Sequence, residues 1–104
     1  MPKVAVELWL WMGEKPAPPL RMVSPMRSVL EITVAPGTTV RALFESVARE
    51  VPQFRAHVIA PDGNQLQSHL SAVLNGCVVR DAEFYGAVLS EGDSILVFRQ
   101  DVGG

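Results

Sequence analysis

At 104 residues and 11.3 kDa, the chain has room for one hydrophobic core, and we expect a single domain over residues 1–104. With 48% hydrophobic and 19% charged residues it reads as globular, and a formal net charge of −2 excludes the basic excess that a nucleic-acid binder carries. One cysteine cannot close an internal disulfide, no run approaches the roughly 20 apolar residues of a membrane span, and Glu7 interrupts the N-terminal apolar run too early for a signal peptide. The expectation is a soluble cytoplasmic domain.

Residues 3–12 alternate with period two. Val4, Val6, Leu8 and Leu10 fall on one face, and Ala5, Glu7, Trp9 and Trp11 on the other, which predicts a first strand. Trp9 and Trp11 then read either as a second covered face or as an exposed contact surface. Residues 13–28 hold Pro16, Pro18, Pro19 and Pro25, which oppose regular structure and predict a long loop. Leu20, Met22, Val23 and Met26 are expected to hold that loop against the edge of the core. A second strand over 29–35 ends at Pro36-Gly37.

Thr38 or Thr39 then caps a helix whose apolar stripe is Val40, Leu43, Phe44, Val47 and Val51. Pro52 ends it, because a residue before proline is pushed out of α geometry. Phe54, Val58 and Ile59 suggest a short helical turn beneath the sheet, and residues 61–64 a turn. A third strand over 70–74 breaks at Asn75-Gly76, a strong hairpin signal, and residues 77–79 return as a fourth. Residues 82–89 read as a loose connection, and Glu91-Gly92-Asp93 turns into a last strand over 94–98.

One amphipathic helix cannot bury its stripe alone, so it must cross one face of a mixed sheet. The expected fold is α+β, a β-grasp (ubiquitin-like) roll, with the first and last strands as parallel neighbours at its centre. The expected core is Val4, Val6, Leu8, Ile32, Val34, Leu43, Phe44, Val47, Val73, Ile95 and Val97.

The chain then stops on Asp101-Val102-Gly103-Gly104, which we take with Arg99 as a flexible tail over 99–104. Without a Cβ, glycine lets backbone pass through a channel too narrow for a side chain. The tail is either a frayed end or a carboxylate offered on a thin leash. Four segments bear on the choice: residues 35–43 at the strand-to-helix junction, Leu74-Asn75-Gly76, residues 90–95 with Gly92-Asp93 before the last strand, and the terminal Val102-Gly103-Gly104. In this order and spacing they resemble the ubiquitin-like sulfur carriers, the MoaD/ThiS-like family of the molybdopterin synthase small subunit and the thiamine-pathway carrier. The likeness covers residues 29–104 well and the first strand loosely. The proline-rich loop is longer than is usual there, and Arg99-Gln100-Asp101 stands where many members carry prolines.

The resemblance implies a co-substrate rather than an enzyme, possibly the small subunit of a synthase. A separate adenylating enzyme of the ubiquitin-activating type would use ATP on the Gly104 carboxylate. A sulfurtransferase or cysteine desulfurase would then supply sulfur to make a thiocarboxylate, with a synthase large subunit as a further partner. No phosphate-loop motif is present, so the chain cannot activate itself, and no stably bound cofactor is expected. Gly104 and Gly103 carry the chemistry in this reading. Phe98, Arg99, Asp101 and Val102 help dock the partner, together with the sheet face opposite the helix, where Trp9 or Trp11 can contribute; core packing is the default for these aromatics. The same terminus could instead form isopeptide bonds as a protein modifier, or be incidental to a β-grasp interaction module. Cys77 is expected to be a buried or half-buried structural residue. His57 and His69 lack the spacing of a zinc site, and Glu83, Asp93 and Asp101 have nothing that places them together as an acid pair.

Overall fold

The computed structural model describes residues 1–11, 18, 20–63, 65–79 and 81–99. Six strands form one mixed sheet: β1 (Lys3–Trp9), β2 (Arg21–Ser24), β3 (Arg27–Thr33), β4 (Leu70–Leu74), β5 (Cys77–Val79) and β6 (Ser94–Arg99), in the order β2-β3-β1-β6-β4-β5. The central pair, β1 and β6, is parallel and in register from Ala5↔Ser94 to Trp9↔Phe98; every other pairing is antiparallel. This is the expected central pair and the expected mixed sheet. Three helices accompany it: α1 (Val40–Glu50), α2 (Pro52–Val58) and α3 (Asp81–Gly86).

Period-two patterning decides which face of the sheet is covered. Val4, Val6 and Leu8 of β1 and Ile95 and Val97 of β6 are essentially inaccessible, and they meet the α1 stripe of Val40, Leu43, Phe44 and Val47. Thr39 caps α1, its Oγ1 accepting from the Ala42 amide at 3.2 Å. Val51 closes α1 through its amide to the Val47 carbonyl at 2.8 Å, and Pro52 opens α2 directly, where its missing N–H costs nothing. The short turn expected around Phe54 and Val58 is therefore a full helix, with both residues buried. Phe44 is the hub of the core, with edge-on ring contacts to Phe54 at 5.1 Å, Phe84 at 5.4 Å and Tyr85 at 6.0 Å.

Four expectations need correction. The loop over 13–28 contains β2, which forms a hairpin with β3. Pro25 lies in the turn between Ser24 and Arg27, where its fixed φ suits the bend and its missing N–H breaks no ladder bond. Leu20 does seal the core edge at 2% exposure, whereas Val23 and Met26 are about half exposed. The connection over 82–89 begins with α3, which buries Phe84 and Tyr85. Val73 is not core: β4 turns Leu70 and Ala72 inward, so Val73 lies on the other face, while Ile32 packs at the core margin. Asn64, the proline-rich stretch over 12–17 and the tail over 100–104 lie outside the described residues.

Candidate functional site

Two features flank the end of β6. The first is the sheet face turned away from the helices. In the register of β1, β6, β4 and β5, Trp9 stands beside Phe98, and Leu96, Val73 and Val78 form the neighbouring row. Trp9 is 51% exposed and Val78 72%, while Leu96, Phe98 and Val73 are partly exposed. The default core assignment of the aromatics therefore fails for Trp9 and Trp11, the latter 58% exposed. These side chains form a run of exposed and partly exposed apolar surface on the helix-free face of the sheet.

A polar clasp bounds this patch. Glu7 accepts from the Trp9 indole N–H, and Arg27 Nη2 donates to Glu7 Oε1 at 2.9 Å. The Arg27 bond, with a smaller contribution from Trp9, holds the Glu7 carboxyl below its ordinary range against the opposing effect of burial. The clasp fixes Trp9 on the sheet and keeps one carboxylate charged at the patch margin.

The second feature is a cleft of about 280 Å³ on the helix side, at the end of β6. Strand alternation places Phe98 on the apolar face and Arg99 on the opposite side, so the two expected docking residues point to different surfaces. Arg99 lines this cleft with Leu10, Trp11, His57, Gln67 and His69. In sequence, His57 and His69 lack the Cys/His/Asp spacing of a zinc site. Folding brings them to one cleft, which no local pattern could have signalled. Among the described residues no cluster of His, Cys, Asp or Glu could hold a metal ion.

Of the remaining expected site residues, Asp101, Val102, Gly103 and Gly104 lie outside the described residues. Cys77 is exposed at the start of β5 rather than buried or half-buried. Asp93 has a structural partner, Asn75, at 2.9 Å rather than an acid pair, which joins the two turn motifs. No described helix is long and apolar enough to cross a membrane.

A mixed sheet with a parallel central pair and a helix packed across one face is the ubiquitin-like β-grasp fold. Solved structures share it. The chain is similar to small archaeal modifier protein 1 of Haloferax volcanii (17% identity, TM-score 0.65, covering 95% of this chain and 98% of that one). It is also similar to the Pyrococcus furiosus protein assigned as molybdopterin converting factor, subunit 1 (20%, TM-score 0.61, 95% and 98%) and to Urm1 of Trypanosoma brucei (14%, TM-score 0.65, 98% and 95%). No protein-family model and no curated protein sequence matches the chain.

Proposed function

We propose that this β-grasp domain is a sulfur carrier and co-substrate whose terminal Gly104 carboxylate is the reacting group. The observation that carries the reading is the β-grasp fold shared with a molybdopterin converting factor subunit, joined to a Gly103-Gly104 pair that follows the central strand β6 in sequence. A carboxylate is a poor electrophile at neutral pH. An adenylating partner binds the body, takes the tail into its ATP site, and the carboxylate attacks the α-phosphorus with loss of pyrophosphate. The outer sulfur of a persulfide on a sulfurtransferase or cysteine desulfurase then attacks the acyl adenylate and displaces AMP, and a thiol that cleaves the resulting acyl disulfide leaves a thiocarboxylate on the carrier and a disulfide on the donor. The carrier's own residues dock and present; the bond-making machinery belongs to the partners. The apolar face of Trp9, Leu96, Phe98, Val73 and Val78 is the docking surface in this reading, and Arg99, Asp101 and Val102 guide the tail. Similarity to a molybdopterin converting factor subunit supports molybdopterin-type sulfur donation, with a synthase large subunit as the acceptor's home.

A second reading, isopeptide bond formation through Gly104, is favoured by the similarity to a small archaeal modifier protein. One experiment separates the two. The intact mass of the chain from its own host is compared with that of a chain lacking Gly104. A mass raised by the difference between a sulfur and an oxygen atom, lost on the deletion, is expected for the carrier. Covalent adducts on other proteins without that increment would favour the modifier. An unchanged mass and no adducts, with an adenylating enzyme, ATP and sulfide supplied, would sink both.

A further inference from the structure

We propose that Asn75-Gly76 is a latent deamidation site, held shut in the folded chain by Asp93 and the Ser94 amide, and that its conversion releases the β4–β5 hairpin from the start of β6. Of the chain's two asparagines only Asn75 precedes a glycine. A following glycine offers its backbone nitrogen with no side chain in the way, which makes this pair the one most open to ring closure. In that step the Gly76 nitrogen gives its proton to a solvent base and bonds to the side-chain carbonyl carbon of Asn75, and ammonia leaves. Water then opens the resulting succinimide to aspartate or isoaspartate. Nothing is oxidised or reduced, and water is the co-reactant consumed.

The pair is open to water, since Asn75 and Gly76 are both exposed. What holds the chemistry back is conformation, in two places. Ring closure requires the Asn75 side chain and the backbone beyond its Cα to rotate together. The backbone is fixed by the hairpin turn, with φ of 52° at Asn75 and 86° at Gly76 between the paired residues Leu74 and Cys77. The side chain is fixed at both of its polar atoms: Nδ2 donates to Asp93 Oδ1 at 2.9 Å, and Oδ1 accepts from the Ser94 amide at 2.8 Å. Asp93 is held in turn, its other oxygen accepting from the Ser90 amide at 2.7 Å. The restraint has a weak side. β5 is a three-residue strand at the edge of the sheet, so its hairpin belongs to the part of the fold that opens most readily.

The product does not fit the same restraint. An aspartate at position 75 has no donor for Asp93, and two carboxylates would face each other across the 2.9 Å that a hydrogen bond now spans. Isoaspartate carries the chain through the side-chain carbon and lengthens the two-residue turn. Either product parts the hairpin from the turn before β6, so an episode of local opening leaves a permanent change. The proposal does not rest on the carrier reading, since Gly104 takes no part in it.

The test follows the full chain by peptide mass mapping, where conversion appears as the exchange of an NH2 for an OH at Asn75. At one mildly alkaline pH, the folded parent should convert at least about tenfold more slowly than the same chain unfolded in guanidinium. Asp93→Ala, with a native amide spectrum away from the two turns, should convert roughly tenfold faster than the parent, the effect of losing one charge-assisted hydrogen bond. Asn75→Asp reads the release itself: the amides of residues 77–79 and of Ser90 should exchange faster than in the parent. Adding Asp93→Asn to that chain should restore their protection, because it returns a donor and an acceptor to the pair. A folded parent that converts at the unfolded rate overturns the proposal, as does a folded Asp93→Ala chain that converts no faster than the parent. If Asp93→Ala does not fold, the Asn75→Asp chain decides: parent-like exchange in the hairpin, or no recovery with Asp93→Asn, overturns it.

Discussion

Asn75 holds two distant turns together. Its φ of 52° is left-handed, as is the 86° of Gly76 after it, which gives the twisted two-residue turn that suits a β-hairpin. Its side chain donates to Asp93 Oδ1 at 2.9 Å and accepts from the Ser94 amide at 2.8 Å, while Asp93 Oδ2 accepts from the Ser90 amide at 2.7 Å. Asn75→Ala removes these bonds and places a Cβ-bearing residue with no compensating side chain at positive φ. We expect a loss of roughly 2 kcal/mol in urea unfolding, with Asn75→Gly losing less because it keeps the backbone geometry. Equal losses would show that the positive φ contributes nothing, and an Asn75→Gly chain as stable as the parent would show that the side chain contributes nothing. Both turns were legible in the sequence as separate local motifs; their link was not, because hydrogen bonding across 18 residues leaves no periodic trace. Glu7 gives a pH-dependent counterpart. Its carboxyl is depressed in the folded chain, so its stabilisation is present above the ordinary carboxylate range and is lost as pH falls through the folded value. With Arg27 about half exposed, the pair is worth less than about 1 kcal/mol. The stability gap between the parent and Glu7→Gln should therefore be small at pH 7 and shrink as the pH is lowered through the carboxylate range; a gap that widens in acid would contradict this account.

At the scale of elements, α1 was the most legible part of the chain, because eleven residues give three turns for an apolar stripe to repeat. β2 and α3 were not, for opposite reasons. Four prolines across 13–28 suggested loop throughout, although Pro25 occupies the turn and leaves Arg21–Ser24 able to pair. The six residues of α3 are too few to establish a helical period, and adjacent Phe84 and Tyr85 resemble a strand or loop as readily as a helix. Core packing explains why this short helix forms: both rings are buried against Phe44 and close the far side of the aromatic cluster. Phe44→Ala should cost about 3–5 kcal/mol, because three rings lose their common partner and none is free to fill the space. A loss below 1 kcal/mol in denaturant unfolding would mean that the cluster collapses around the gap. Hydrogen exchange should rank the strands by position, with β1 and β6 amides slowest and those of the edge strands β2 and β5 fastest.

The whole molecule separates its two surfaces across one sheet: an apolar face without helices and, behind it, the helical side with the cleft that Arg99 lines. The strand alternation at Phe98 and Arg99 assigns one residue to each. If the apolar face is where an activating enzyme docks, Trp9→Ala should weaken that complex at least tenfold while leaving unfolding within about 1 kcal/mol of the parent, because the indole is half exposed. Unchanged affinity, measured by calorimetry, would move the docking surface elsewhere. The parallel alignment of β1 with β6 has a mechanical consequence. Both strands run the same way, so the start of β1 lies beside Gly92 and Asp93, at the opposite end of the sheet from Arg99. Force applied between the two ends of the chain would pull β1 and β6 past each other along their length. The rungs from Ala5↔Ser94 to Trp9↔Phe98 would then share the load at once instead of opening one after another. A domain joined by its tail to one body and by its N-terminal end to another would behave as a stiff tether, one that yields by sudden shear rather than by gradual peeling.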